Sequence, residues 1–229
     1  MRFSRVLLGG LAWLGVAVFG RATDANSVRV LSYNIHHGEG VDGRLDLVRI
    51  AKVISDSGAD LVALQEVDQR ARRTEGIDQA AELGRLTNLH AYFGKAMDYQ
   101  GGAYGQALLS RWPLEDFAVH MLPNPVAREP RIAVEGLVRL LARDPRPTLL
   151  AGDFNAAPDS RPMTLLLGSF ADAAAARPEP TIPAERPTRR IDFVLFRPIA
   201  QWSVVAVSVI AEPIASDHRP VLANLMLRP

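Results

Sequence analysis

Four clusters of acids and amides stand where a strand-like run stops or a turn begins, and this recurrence restricts the fold more than any other feature of the chain. They are Ser32-Tyr33-Asn34, Gln65-Glu66, Gly152-Asp153-Phe154-Asn155 and Ser216-Asp217-His218-Arg219-Pro220. The runs beside them are short, apolar and rich in β-branched residues, the pattern of buried strands. Polar groups gathered at strand ends describe a sheet scaffold that carries its site on loops at one rim.

Between these clusters the chain alternates in type. Val28 to Ile35 reads as a strand, and Arg44 to Ser57 carries Leu47, Ile50, Ala51 and Ile54 at helical spacing. Gly58 and Asp60 break that helix before a strand at Leu61 to Val67, and Gln79 to Thr87 reads as a second helix. Further strands are expected at Ala107 to Ser110, Thr148 to Ala151, Ile191 to Phe196, Trp202 to Ile210 and Val221 to Leu227. Along Trp202 to Ile210 both alternating sets are largely apolar, which predicts a strand covered on each face. Glu135 to Ala142 reads as a helix running into Asp144-Pro145, and the proline-crowded Arg177 to Pro187 as an irregular loop. The class is mixed α/β. A length of 229 residues with no repeat or linker suits one domain.

Bulk charge excludes one class of function. Twenty-six basic against 25 acidic residues leave a formal charge of +1, so no global basic field draws in nucleic acid. Basic residues are dense only at Arg70 to Arg73 and Arg189-Arg190, and the first group reads as solvated loop charge before it reads as an anion grip. The chain has no cysteine, which removes disulfides, thiolate nucleophiles and zinc-thiolate sites. Arg2 and Arg5 precede the apolar run Val6 to Phe19, which ends in small residues. Residues 1–22 therefore read as a signal peptide and 23–229 as the exported domain, periplasmic or extracellular. An uncleaved anchor is the alternative, and the only reading that brings in a membrane, although the run is short of the roughly 20 residues a bilayer span needs.

Carboxylate, amide and imidazole are the groups that phosphoester hydrolysis requires, since it needs a hard cation, a positioned water and donors for developing charge. Magnesium favours one or two carboxylates plus waters, which suits Glu66, Asn34 and Asp217 better than zinc would be suited. Each cluster also has a plain reading. Asn34 closes a turn, Glu66 is a solvated strand end, and Asp153 and Asn155 bond their own turn. Asp153 and Asn155, two residues apart, project to one side of an extended segment, and Asp217-His218 sets an acid beside a titratable ring.

These clusters, with Leu64-Gln65-Glu66-Val67 and Arg190-Ile191-Asp192-Phe193, occur in the order that resembles the endonuclease/exonuclease/phosphatase superfamily, over about residue 28 to the C-terminus. Asn34-Ile35-His36-His37-Gly38 and Met97 to Gly102 resemble an exported bacterial branch of it. The resemblance implies a four-layered α/β sandwich of two mixed β-sheets and metal-dependent hydrolysis of a phosphodiester or phosphomonoester with Mg2+ or Mn2+. It further implies Glu66 as main metal ligand, with Asn34 beside it and Asp217 completing or flanking the site. Asp153 would deprotonate the attacking water, and Asn155 would hold that water or a phosphoryl oxygen. His218 would touch the scissile phosphate, fixed by Asp192. Tyr104 matches a tyrosine facing the phosphate, or is a half-buried core residue; Gln106 stands where an asparagine is common. His36 and Arg131 are the remaining candidate substrate contacts.

One part of the pattern is missing. The family has a further core strand ending in a Thr-His-Leu-like motif before the Gly-Asp-Phe-Asn strand, and no histidine lies between Arg131 and Asp153. His120, the nearest, reads as part of another motif. The fold is thus expected to lack one core strand, through a natural shortening or a deletion in the reading frame. A phosphate-binding module without turnover is accordingly the rival to the enzyme. With few clustered cations, a small phosphodiester or lipid headgroup is a better substrate than duplex DNA, and no protein partner is implied.

N-terminal sequencing of the exported protein is expected to begin just after Gly20 or Ala22; an intact Met1 would contradict cleavage.

Overall fold

In the computed structural model, residues 26–122, 130–137 and 147–228 are described. The expected signal peptide and residues 138–142 of the expected helix lie outside them. In chain order the elements are β1 (Ser27–Asn34), α1 (Leu47–Ser57), β2 (Leu61–Gln69), α2 (Gln79–Thr87), β3 (His90–Tyr99), β4 (Gly102–Ser110) and β5 (Asp116–Met121). There follow β6 (Ile132–Leu137), β7 (Thr148–Asp153), α3 (Arg161–Leu167), β8 (Ala171–Asp172), β9 (Asp192–Arg197), β10 (Trp202–Val209) and β11 (Val221–Leu227).

Local chemistry fixes the helix ends. The Asp46 side chain accepts from Arg49 N and caps α1, which stops at Gly58 in the left-handed region (φ 59°). Asp78 caps α2 through Ala81 N, and Asn88 closes it, also left-handed. The apolar faces of both helices bury Ile50, Ile54 and Leu83 against Leu31, Tyr33, Leu64 and Leu109.

The main sheet has six strands in the order β10-β11-β1-β2-β4-β3. It is mixed, because β1 and β2 run parallel while the other pairs run antiparallel. Alternation along β1 sends Leu31 and Tyr33 to the helices and Val28 and Val30 to the opposite face, where they meet Val194, Phe196, Val221 and Leu225. On that face lies a second sheet, β7-β9-β8, whose outer side packs Phe193 and Leu195 against Met163 of α3. Helices, sheet, sheet and helix make the four layers.

Three expectations need correcting. The second layer is not one mixed sheet: among the described residues it comes as the antiparallel β7-β9-β8 piece and a separate β5-β6 hairpin. No described strand joins β6 to β7, and residues 138–146 between them lie outside the described ones. The hairpin lies over β3 and β4 instead, where Gly94 makes room for it; a Cβ there would stand 2.3 Å from Val134 Cγ1. Secondly, Glu135 to Leu137 is not helical but the end of β6, because its residues complete a ladder with Asp116 to Ala118. Thirdly, β10 is not covered on both faces. It is an edge strand with a bulge between Val204 and Ala206 that disturbs its alternation and leaves Val204 and Val205 exposed. His120 sits on β5 and bonds Glu135 at the surface.

Phe193 is fully buried and meets Phe154 edge-on at 5.5 Å, so it ties α3 to the strands that end in Asp153 and Asp192. Phe193→Ala is expected to cost about 3–5 kcal/mol in urea unfolding; a loss below about 1 kcal/mol would show that this layer adds little to the core.

Candidate active site

The inward faces of three strands deliver the polar groups. Asn34 continues the set Val28, Val30, Ser32 on β1; Asp153 continues Leu149 and Ala151 on β7; Asp192 begins the set Val194, Phe196 on β9. Asp153 and Asp192 are direct cross-strand partners. Each lies at the end of its strand where the apolar filling between the sheets gives way to the rim.

Glu66 arrives differently. Regular alternation after Val62 and Leu64 would turn it toward the helices, but a bulge between Leu64 and Val67 gives that face to Val67. Glu66 itself is left-handed, with φ 58°, a backbone state that non-glycine residues adopt rarely and that clusters at functional sites. It brings the carboxylate to Asn34, whose Nδ2 donates to Glu66 Oε1 at 3.0 Å and to Asp153 Oδ2 at 3.2 Å. The Asn34 oxygen accepts from His36 N at 3.0 Å, so its amino group is the part that faces the carboxylates.

Asp153 is further held by Asn155, whose backbone N–H and Nδ2 donate to it at 2.7 and 2.9 Å. Burial raises the proton affinity of Asp153, and the Asp192 charge adds to that. His218 Nδ1 meets Asp192 Oδ2 at 3.0 Å, and its Nε2 stands 3.9 Å from Asp153 Oδ2. Burial opposes protonation of this ring, but the hydrogen bond and charge of Asp192, with Asp153 and Asp217 behind, push its pKa up to about 9. Asp192 is in turn bonded by the buried Thr181 hydroxyl at 2.5 Å. Ser216 Oγ donates to Asn34 O at 2.7 Å and ties the C-terminal cluster to β1.

Glu66, Asn34, Tyr104, Gln106, Arg131 and Asp153 line one pocket. Tyr104 stands beside Tyr99 and Arg73, and Gln106 donates to Ile132 O at 3.1 Å. Asp217 lies outside this lining; its Oδ1 stands 3.4 Å from Ser216 Oγ. His36 also stands apart from it, on the Glu66 side, with Nδ1 on Glu39 O. Arg73 is not a solvated loop charge: it makes a two-pronged bond to the buried Asp68 and lies 4.6 Å over the Tyr99 ring.

Thr181 was not legible as a site residue, and although Ser216 and His36 stood in the clusters read from the sequence, the bond of Ser216 to β1 and the pairing of the His36 and His37 rings were not. Thr181 sits in the proline-rich loop, which is pinned by Arg219 N to Thr181 O and Ala184 N to Asp217 O. Its one sequence signal is that it stands a short way before Asp192.

Residues 31–218 match the profile of the Endonuclease/Exonuclease/phosphatase family. The uncharacterized protein YbhP of Escherichia coli K12 is 23% identical over 249 residues, covering 90% of this chain and 98% of that protein. That alignment is longer than this chain, so the relative has residues without a counterpart here. An endonuclease/exonuclease/phosphatase structure from Beutenbergia cavernae superimposes with TM-score 0.69 at 26% identity, over 89% of this chain and 72% of its own. The mannosyl-6-phosphatase Bt3783 of Bacteroides thetaiotaomicron gives TM-score 0.69 at 16% identity, over 87% of this chain and all of its own.

Because His218 binds its proton more tightly folded than unfolded, its contribution to stability is complete below its unfolded pKa of about 6.5. That contribution is lost as pH rises through about 9. In metal-free protein the His218 ring signals in NMR are expected to titrate near that upper value; a midpoint near 6.5 would contradict the Asp192 coupling.

Proposed function

The chain belongs to the endonuclease/exonuclease/phosphatase family, whose members are metal-dependent hydrolases of phosphoester bonds, and on that premise we propose that it hydrolyses a phosphate ester by metal-assisted attack of water. The observation that carries this reading is the Asn34 amide set between Glu66 and Asp153, two carboxylates from different sheets at one pocket. The donors are oxygen-bearing groups with no thiolate, which fits a hard divalent ion. Glu66 would hold Mg2+ or Mn2+, with Asn34 and Asp217 flanking it, and the bound ion would supply neutralisation of phosphoryl charge.

The chain's own groups do the rest. Asp153, with its raised proton affinity, is suited to take a proton from the attacking water, and Asn155 holds the carboxylate in line. His218, kept protonated by Asp192, offers its Nε2 proton to a phosphoryl oxygen, and Thr181 holds Asp192 in place. Tyr104 and Arg131 face the same pocket and suit the anionic ligand. Arg131 is the one cation among the described lining residues, which supports a small phosphodiester, phosphomonoester or lipid headgroup over duplex DNA. Export under the leader at residues 1–22 is part of the same reading, supported by the Arg2, Arg5 and apolar Val6 to Phe19 pattern.

A module that binds phosphate without turnover is the second reading, favoured by the division of the second sheet between β6 and β7. Glu66→Ala and Asp153→Asn are each expected to lower kcat on a generic phosphodiester by about 10²–10³-fold, and exhaustive chelation to abolish it. Turnover unchanged in either case would rule out the proposed roles. Calorimetric binding of Mg2+ and inorganic phosphate with no hydrolysis would favour the module.

A further inference from the structure

Just past β1 the chain makes a short 3-10 turn at His36–Gly38, in which His36 and His37 are both left-handed, at φ 46° and 44°. Consecutive residues of a strand point to opposite faces; here the turn sets the two rings side by side, with centroids 4.5 Å apart and planes at 62°. The turn is firmly held. Asn34 Oδ1 accepts from His36 N, and the buried Gln79 side chain donates to His37 O at 2.6 Å.

Hydrogen bonds also settle which ring nitrogens are free. His36 Nδ1 lies 3.0 Å from the Glu39 carbonyl oxygen, which can only accept. Nδ1 therefore carries the proton, and the Nε2 lone pair of His36 is left open, as in many metal-bound histidines. His37 Nε2 faces the Glu39 carboxylate at 3.6 Å, while its Nδ1 is buried with no partner. A buried ring nitrogen without a partner is a costly feature that calls for an occupant. Burial, with Arg73 and His36 adding to it, lowers the proton affinity of His37. Glu66 spends Oε1 on Asn34 and retains Oε2.

We propose that His36, His37 and Glu66 form a second cation site, selective for a borderline transition metal of the zinc class and sharing Glu66 with the phosphoester pocket. Each side chain brings one ligand atom to within 4.8 Å of the other two. Bonds of about 2.0–2.2 Å in tetrahedral zinc space ligands roughly 3.3–3.6 Å apart, so loading needs only a modest closing of three side chains. Two imidazoles and one carboxylate leave a fourth position for water, and they favour zinc over magnesium because imidazole is a poor ligand for the harder ion. Glu39 contacts both rings from behind, the usual place of a group that orients metal-binding histidines.

Binding alone tests this, without turnover, so the outcome is separable from the phosphoester reading. Chelator-treated full-length protein with 15N-labelled histidine is titrated with ZnCl2, followed by calorimetry and imidazole NMR. One zinc per chain is expected, with the His36 Nε2 and His37 Nδ1 resonances moved and the His218 ring unmoved. His36→Ala and His37→Gln should each weaken zinc binding at least tenfold, and His218→Ala should not. The wild-type spectra keep the test valid if a buried-ring variant fails to fold. Absence of zinc binding, or zinc shifts confined to the His218 ring, would overturn the site.

Discussion

A single amide joins the two halves of this molecule's chemistry. Asn34 donates one hydrogen to Glu66 on the six-stranded sheet and the other to Asp153 on the second sheet, while its oxygen is occupied by a backbone N–H. Two carboxylates brought this close at a partly dry rim repel each other, and that repulsion would drive the sheet edges apart or force one group to take up a proton. A neutral donor set between them relieves the strain without cancelling either charge. An aspartate in the same place would add a third negative charge, and a leucine would leave both carboxylates unbonded. The amide is the side chain that holds the pair together and still leaves it open to a cation.

The charge balance of the site follows from the same constraint. Glu66, Asp153, Asp192 and Asp217 are answered by the His218 ring and, at the pocket wall, by Arg131. His218 rises to about 9 because the hydrogen bond and charge of Asp192, with the charges of Asp153 and Asp217, outweigh the effect of its burial. On the proposed reading, a pocket with this excess of negative charge would accept an anionic ester only with added positive charge, which would make substrate binding and metal binding a single requirement. The hydrogen bonds from Asn155 and Thr181 keep the two aspartates in place while the charge around them changes.

Much of this could be read from the sequence, for a reason that is plain in the strands. The simple two-residue alternation of β1, β7 and β9 carries Asn34, Asp153 and Asp192 inward with the apolar residues before them, so pattern and position agree. Helices α1 and α2 were equally legible, since their caps and apolar spacing are local. Glu66 was legible only as a residue type. Its direction depends on a bulge set by pairing with β4, which is a property of two strands and not of one. β10 misled through a similar fault, because its valines look buried in a pattern that cannot tell an edge strand from a central one. Thr181, and the pairing of the His36 and His37 rings, were hidden by backbone states and long-range bonds that leave no periodic trace.

The divided second layer separates what holds the carboxylates from what meets them. Asn34, Glu66, Asp153 and His218 rest on β1, β2, β7, β9 and the segment that leads into β11, all in contact with one another or with their shared core. Arg131 reaches the pocket on the β5-β6 hairpin, which is fastened to β3 and β4 by Val134 over Gly94 and by Gln106 to Ile132 O. No described ladder runs from β6 to β7 to set the distance between these parts. The carboxylate cluster can therefore keep its geometry without the strand that the sequence lacks. On the proposed reading, what is left without such a ladder is the placement of the Arg131 cation against Asp153, and with it the fit of the pocket to a phosphoryl group. On that same reading, the lack of that strand would weaken recognition of the ester before it touched the groups that would activate water.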